Sequence, residues 1–156
     1  MRTIDCCAVV PLLEPLDSQA GLDSDSFHAG RAAHWDLIFQ FGAVTGNAIL
    51  TLYVGASAGT KTTAIAFRYR LSSGDFKAAS ADLFAASDTT DADGILTLTA
   101  TTYDHRVLVI MLDSIEIAEA TPWVTVEIDA TASVLLLSAV AIGTQPRYQT
   151  ALTAIA

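Results

Sequence analysis

The sequence predicts an all-β protein: a single antiparallel β-sandwich, jelly-roll-like, with an extended N-terminal arm. Three observations predict it. Apolar residues recur with a period of two in several segments, glycine-containing turns separate those segments, and no segment has the apolar spacing of a three-turn helix. Without helical crossovers, consecutive strands are expected to pair antiparallel. About seven to nine short strands of this kind are typical of a two-sheet sandwich.

The 156 residues fit one domain, since this length lies within the usual range of single domains. We expect an N-terminal strand and proline-containing arm over 1–26, the β-sandwich over 27–145 and a C-terminal tail over 146–156. Strand character begins at 4–10. The segment PLLEPLDSQAGLDSDS then combines two prolines with acidic turn residues, so it is predicted to be an extended arm or loop rather than a helix.

Alternation is clearest over 35–41, 48–54 and 61–70, where glycine turns at 42–46 and 55–59 predict antiparallel neighbours. In the first strand, Leu37, Phe39 and Phe41 share one face. The polar, alanine-rich segment 72–94 is expected to form a loop with a short irregular element. Four further strands are predicted over 95–101, 106–112, 123–130 and 133–142.

The strands over 106–112 and 133–142 are apolar on both faces. A strand in a two-layer sandwich has only one core face, so the other face needs a cover. The N-terminal arm and a neighbouring molecule are both open as that cover, and the surplus of apolar surface predicts a subunit contact. The predicted contact residues are Leu12, Leu13, Leu16, Trp35, Leu108, Ile110, Trp123, Leu135, Leu137 and Tyr148.

Charge and composition argue against several classes of partner. With 8 basic and 17 acidic residues the net charge is −9, which disfavours binding to nucleic acid or to an anionic membrane. No apolar run approaches the roughly 18 residues of a membrane helix, and the apolar stretch 6–13 lacks the basic flank of a signal peptide. Cys6 and Cys7 are adjacent, so they point to opposite faces of a strand and are interpreted as two thiols in a reducing compartment.

No residue pattern predicts catalysis, a cofactor or a metal site. His28, His34 and His105 lack the spacing of metal-ligand pairs. The segment DTTDADG at 88–94 is similar to a calcium loop but lacks the carboxylate that would close it. Nucleophile elbows and phosphate-binding glycine loops are absent from the sequence. We therefore expect a non-enzymatic protein without a cofactor.

Six segments between residues 27 and 148 carry a family resemblance through their residue patterns and their order along the chain. They are HWDLIFQFGAVTG, AILTLYVGAS, KTTAIAFRYRLSSGDF, TYDHRVLVIMLDS, PWVTVEIDAT and SVLLLSAVAIGTQPRY. They resemble the small β-sandwich decoration, or cement, proteins that coat the heads of tailed phages. The resemblance implies a protein made in the host cytoplasm that binds the major capsid protein on the outer surface of the virion, often as a homotrimer. It transfers no catalytic residue, and it implies neither nucleic acid nor membrane as a partner.

Three alternatives remain open. The chain is instead a tail or neck component of a phage; a carbohydrate-binding module that uses Trp35 or Trp123, each at the start of a predicted strand; or a cupin-like enzyme, for which the clustered His and Glu ligands are missing.

Overall fold

A computed structural model describes residues 7–76, 78–79, 82–129 and 133–146. These residues form two antiparallel sheets that pack together, which confirms the predicted all-β sandwich. One short helix, α1 (Ala100–Tyr103), and two 3-10 turns, Ala29–Arg31 and Ser114–Glu116, lie between strands. The strands are β1 (Cys7–Asp17), β2 (Leu22–Asp23), β3 (Phe27–His28), β4 (Ala32–Val44), β5 (Ala48–Gly55), β6 (Thr63–Ala64), β7 (Arg68–Leu71), β8 (Asp88–Thr89), β9 (Ile95–Leu98), β10 (Val107–Asp113), β11 (Trp123–Ile128) and β12 (Leu135–Pro146).

The two sheets differ in how continuous their strands are. Sheet A has the order β1-β12-β4-β10-β7-β8 and contains the long strands β1, β4 and β12. In sheet B, β11 and β5 pair in the centre. The short strands β2 and β3 pair with the free side of β11, and β6 and β9 pair with the free side of β5. Sheet A is therefore the broader and more regular surface.

The core lies between the sheets and is built from the predicted alternation. Leu37, Phe39 and Phe41 of β4 are fully buried, as are Leu50 and Leu52 of β5. Successive side chains in a strand point to opposite faces, so the inward row of each strand is apolar while the outward row is left for other contacts. The sequence placed these residues on one face of each strand, and the structure shows that this face points inward.

The expected pairing of β4 with β5 is wrong. Strand β4 pairs with β12 and β10 in sheet A, whereas β5 lies in sheet B, so the turn between them carries the chain across the core. Both strands have a fully apolar inward row, and placing the rows face to face buries both. The predicted strand over 61–70 is likewise divided: Thr63–Ala64 pairs in sheet B, and Arg68–Leu71 pairs in sheet A.

The proline-containing segment is extended, as expected, but residues 7–23 belong to the sandwich rather than to a separate arm. Strand β1 pairs with β12 and forms the outer strand of sheet A. Pro11 and Pro15 are tolerated there because one side of an outermost strand needs no ladder donor. Leu12 and Leu13 are buried in the core, and the Asp25 N–H donates to the Leu12 carbonyl at 3.0 Å. The chain's own domain therefore covers these leucines.

Candidate interaction surfaces

Most of the predicted contact residues lie inside the chain. Seven of the ten are at most 9% exposed, so in the single chain they belong to its core, and their assignment to a contact between molecules stays a prediction. Alternation identifies the two faces of a strand but not which face points inward. The seven residues are Leu12, Leu13, Trp35, Leu108, Ile110, Leu135 and Leu137.

The other three predicted contact residues have different positions. Leu16, near the end of β1, and Trp123, at the start of β11, are half-buried. For these two residues the interface assignment stays a prediction. Tyr148, together with the rest of the predicted tail after Pro146, lies outside the described residues.

The outward side of sheet A carries an apolar surface. It is formed by the side chains that alternate with the buried row on the same strands. Strand register aligns Pro11, Val140, Ile38 and Val109 across four strands, and aligns Val9 with Ile142 in the next row. Val9 and Pro11 are exposed and the rest are half-buried. We call this surface the outer apolar face; it comprises Val9, Pro11, Ile38, Val109, Met111, Val140 and Ile142.

Asp36 interrupts the outer apolar face. It lies opposite Ile142 on one side and Met111 on the other. Partial burial raises the pKa of Asp36, the nearby Asp113 raises it further, and His34 opposes the rise. A carboxylate in this position disfavours a dry contact unless it is neutralised.

A polar rim borders one end of this face. Asp113, at the end of β10, accepts hydrogen bonds from His34 and from Arg68, the latter at 2.5 Å. Arg68 also lies 3.4 Å from Glu116. These hydrogen bonds from His34 and Arg68 hold the pKa of Asp113 below its ordinary value. The rim connects β4, β10 and β7. Because its ion pairs are partly exposed, they make this end of the face polar but contribute little to the stability of the fold.

The opposite end of the outer face opens into an apolar groove of about 430 Å³, which we call the terminal groove. Two large apolar side chains beside it face water: Phe76 is 43% exposed and Leu136 is 42% exposed. Gly42 also lines the groove, and a Cβ added at this glycine would lie 3.1 Å from the Leu136 Cβ. Its lining consists of Pro15, Leu16, Asp17, Gln40, Phe41, Gly42, Phe76, Leu136, Leu137 and Ser138.

The outward side of sheet B is more polar. Trp123 and Tyr53 are diagonal neighbours there, because Trp123 pairs with Gly55 and Tyr53 pairs with Thr125. Lys61 lies 5.8 Å from the centre of the Tyr53 ring. Hydrogen bonds from Lys61 to Glu127 and to Asp23, the latter at 2.9 Å, raise the lysine pKa.

Trp35, the other tryptophan proposed for stacking, is 1% exposed and belongs to the core. Its indole N–H donates to the Ala29 carbonyl at 2.9 Å, and its ring packs on Phe27 with centroids 4.5 Å apart. The carbohydrate-binding alternative therefore keeps Trp123 and loses Trp35.

The three histidines have separate surroundings. His34 binds Asp113, His28 packs edge-on against Trp123 at 5.3 Å, and His105 lies 3.9 Å from Asp104. Within the described ranges, no three His, Cys, Asp or Glu side chains are grouped so as to hold a metal ion. None of the helices in the described part of the chain has the length and hydropathy needed to span a bilayer.

Comparisons with known proteins add little to this geometry. No protein-family model and no curated protein matches the sequence. Among solved structures, the chain is similar to a chain of the infectious bursal disease virus Gt strain, with 12% identity over 93% of this chain and 42% of that one, and a TM-score of 0.22. For the Gx strain the values are 15%, 96%, 42% and 0.20. The chain spans less than half of those chains, and similarity at this level carries no argument about function.

Proposed function

We propose that this chain is a non-enzymatic structural protein of a phage virion, bound as homotrimers to the outside of a lattice of major capsid protein. The observation that carries the proposal is the outer apolar face of sheet A. Its residues lie in register on β1, β12, β4 and β10, so the surface is a regular sheet face rather than a mobile loop. Asp36 interrupts the face, but the apolar residues on either side of it lie on a flat, regular surface that a partner can contact.

The small size of this face favours a binding partner that presents many identical sites. Four strands about 4.8 Å apart and two residue rows about 6.7 Å apart give a footprint of roughly 250 Å². A stable pair of proteins buries about 800 Å² on each partner. A single contact through this face is therefore weak, whereas many identical contacts on one closed lattice add together through multivalency.

The net charge of the chain disfavours binding of one outer apolar face to the same face of a second copy. Each chain carries a net charge of −9, so two copies that approach face to face repel each other. Asp36 lies within the face and adds to that repulsion. We infer that the lattice offers an apolar patch with neutral or basic surroundings.

Electron cryo-microscopy of virions from the phage that encodes the chain tests the proposal. We expect density for the sandwich on the outside of the head, with sheet A against the capsid protein. A position in the tail or neck would replace the capsid role with the alternative virion role. Absence of the chain from purified particles would overturn both.

A binding assay tests the surface itself. Purified chain is added to heads that lack it, and bound copies are counted by sedimentation and densitometry. Val140→Asp places a second carboxylate on the outer apolar face and is expected to reduce binding at least tenfold. Thr97→Asp, exposed on sheet B, is the matched control and should bind like the unmodified chain. Equal loss, or no loss, in the two variants would contradict the assignment of sheet A.

A second candidate function has one specific observation in its favour, the diagonal pair of Trp123 and Tyr53 on sheet B. Neighbouring aromatic rings on a flat sheet provide stacking surfaces for sugar rings. A glycan array probed with the purified chain and with Trp123→Ala tests it. Binding that Trp123→Ala abolishes would support this function, and an array without signal would exclude it for the glycans displayed.

A further inference from the structure

We propose that Asp36 pairs with a basic side chain of the partner, an arginine or a lysine that projects from the apolar patch covering the outer apolar face. The inference rests on the proposed function, which makes the capsid lattice that partner, and it names the group that the lattice must supply. It also gives one residue the role of determining which apolar surfaces the chain accepts.

Apolar side chains surround the Asp36 carboxylate on three sides. Ile142 on β12 and Met111 on β10 lie directly opposite Asp36, and Ile38 lies next to it on the same face of β4. Paired residues on adjacent strands have Cβ atoms about 5 Å apart. A partner that covers this face therefore removes water from Asp36, and a carboxylate that loses its water needs a compensating charge.

The nearby basic groups are engaged by another carboxylate. His34, on the fourth side of Asp36, and Arg68, opposite Met111, both form hydrogen bonds with Asp113. Within the described part of the chain, no residue donates a hydrogen bond to the Asp36 carboxylate. The two pKa values differ accordingly: partial burial raises the pKa of Asp36, whereas these hydrogen bonds lower that of Asp113. The chain leaves the compensating charge of Asp36 to a partner.

A basic side chain fits this position better than a free metal ion. Hard divalent cations take six or more oxygen ligands, and in the described ranges Asp36 belongs to no group of side chains that could hold a metal. A lysine or arginine instead brings an aliphatic stem, which packs on apolar side chains such as Ile38 and Met111 while the charged head pairs with the carboxylate. Arginine also has the planar head that binds both carboxylate oxygens.

Long-range attraction of cations to a chain of net charge −9 does not select this position. Selection occurs at short range, because an apolar partner without a basic group leaves the Asp36 carboxylate buried and unpaired, whereas a partner with one pairs it. Asp36 therefore disfavours attachment to apolar surfaces in general. It also disfavours the same face of a second copy, which would add a second unpaired carboxylate.

Binding to heads that lack the chain tests the pairing. We expect Asp36→Asn to bind at least tenfold more weakly than the unmodified chain, and Asp36→Lys to bind more weakly still. Asp36→Glu keeps the charge and should retain most of the binding. Asp93→Asn, exposed in the turn before β9, removes the same charge elsewhere and is the matched control. Melting curves confirm that each variant is folded.

The direction of the change in Asp36→Asn separates the inference from its alternative. A carboxylate that only hinders an apolar contact would give equal or tighter binding when it is neutralised, and this result would overturn the inference while the capsid proposal stands. Equal loss in Asp93→Asn would overturn it too, because net charge rather than position would then decide. Self-association of the isolated chain that Asp36→Asn abolishes, measured by sedimentation equilibrium, would place the basic group on a second copy instead of the lattice.

A titration with N-butylguanidinium tests the site without a capsid, with N-butylurea as the uncharged control of similar shape. We expect N-butylguanidinium to give saturable NMR shifts at the backbone N–H groups of Asp36, Ile38 and Met111. Asp36→Asn should abolish these shifts, Asp93→Asn should keep them, and N-butylurea should produce none. Shifts spread evenly over exposed acidic residues, or shifts that persist in Asp36→Asn, would overturn the inference. Failure of the unmodified chain to bind heads would instead reject the proposed function.

Discussion

Gly143 in β12 shows how closely the core is packed at the level of a single atom. A Cβ at this position would lie 2.9 Å from the Ala32 Cβ and 2.9 Å from the ring carbons of Trp35. We predict that Gly143→Ala lowers the free energy of unfolding by about 1–3 kcal/mol, because neither neighbour can move without disturbing the packing. Chemical denaturation measures this, with Ser138→Ala on the same strand as control. Equal stability of the two variants would show that the site relaxes.

Asp36 predicts a pH dependence of stability. Its pKa is raised in the folded protein by burial, so its contribution is most favourable below the unfolded pKa of about 3.9 and is lost as the pH rises through the folded value. Asp36→Asn should therefore unfold at a higher temperature than the unmodified protein at pH 7, and the gain should shrink towards pH 4. Melting curves across this range measure the difference. A gain that grows on acidification would contradict the raised pKa.

The inward and outward faces of strand β10 allow a matched comparison of two substitutions. Ile110 is fully buried and Val109, its neighbour, is half-buried on the outer apolar face. We predict that Ile110→Ala costs about 2–5 kcal/mol of unfolding free energy through the cavity it leaves. Val109→Ala should cost less than half as much while weakening attachment to the lattice. Denaturation and the binding assay separate the two effects, and a reversed order of stability would invert the assigned faces.

The sequence predicted the strands better than it predicted which strands pair with each other. The alternation of β4 and β5 grouped the apolar residues that include Leu37 and Leu50 on one face of each strand, and the structure shows that these faces are buried. It could not show that the strands face each other across the core, because a strand paired beside its neighbour and one placed opposite it have the same period. For the same reason, the sequence showed that β10 is apolar on both faces but not that Leu108 points into the core and Val109 points outward.

The candidate groove depends on contacts that a sequence does not display. Phe76 follows β7, Leu16 lies in β1 and Leu136 in β12, so the strand order of sheet A brings together residues up to about 120 positions apart. Local periodicity carries no information about such pairings. Leu16 was the one groove residue predicted as a contact that is also partly exposed.

For the whole assembly, attachment should stabilise the head. Anything that binds the intact lattice but not its disrupted form raises the temperature of disruption. We predict that heads carrying the chain release their DNA at a temperature several degrees higher than heads lacking it, measured by dye-accessible DNA during heating. Val140→Asp at the same concentration should give a smaller shift. A shift of equal size with that variant would point to another contact surface.

Pro11 and Pro15 have a consequence for the architecture that copies can build. They lie in the outermost strand of sheet A, and at the other margin β8 is only two residues long. An incoming strand needs a run of backbone donors and acceptors, which proline interrupts and so short a strand does not offer. Edge-to-edge extension of sheet A is thereby disfavoured, so copies of the chain are expected to meet through surfaces other than these two margins.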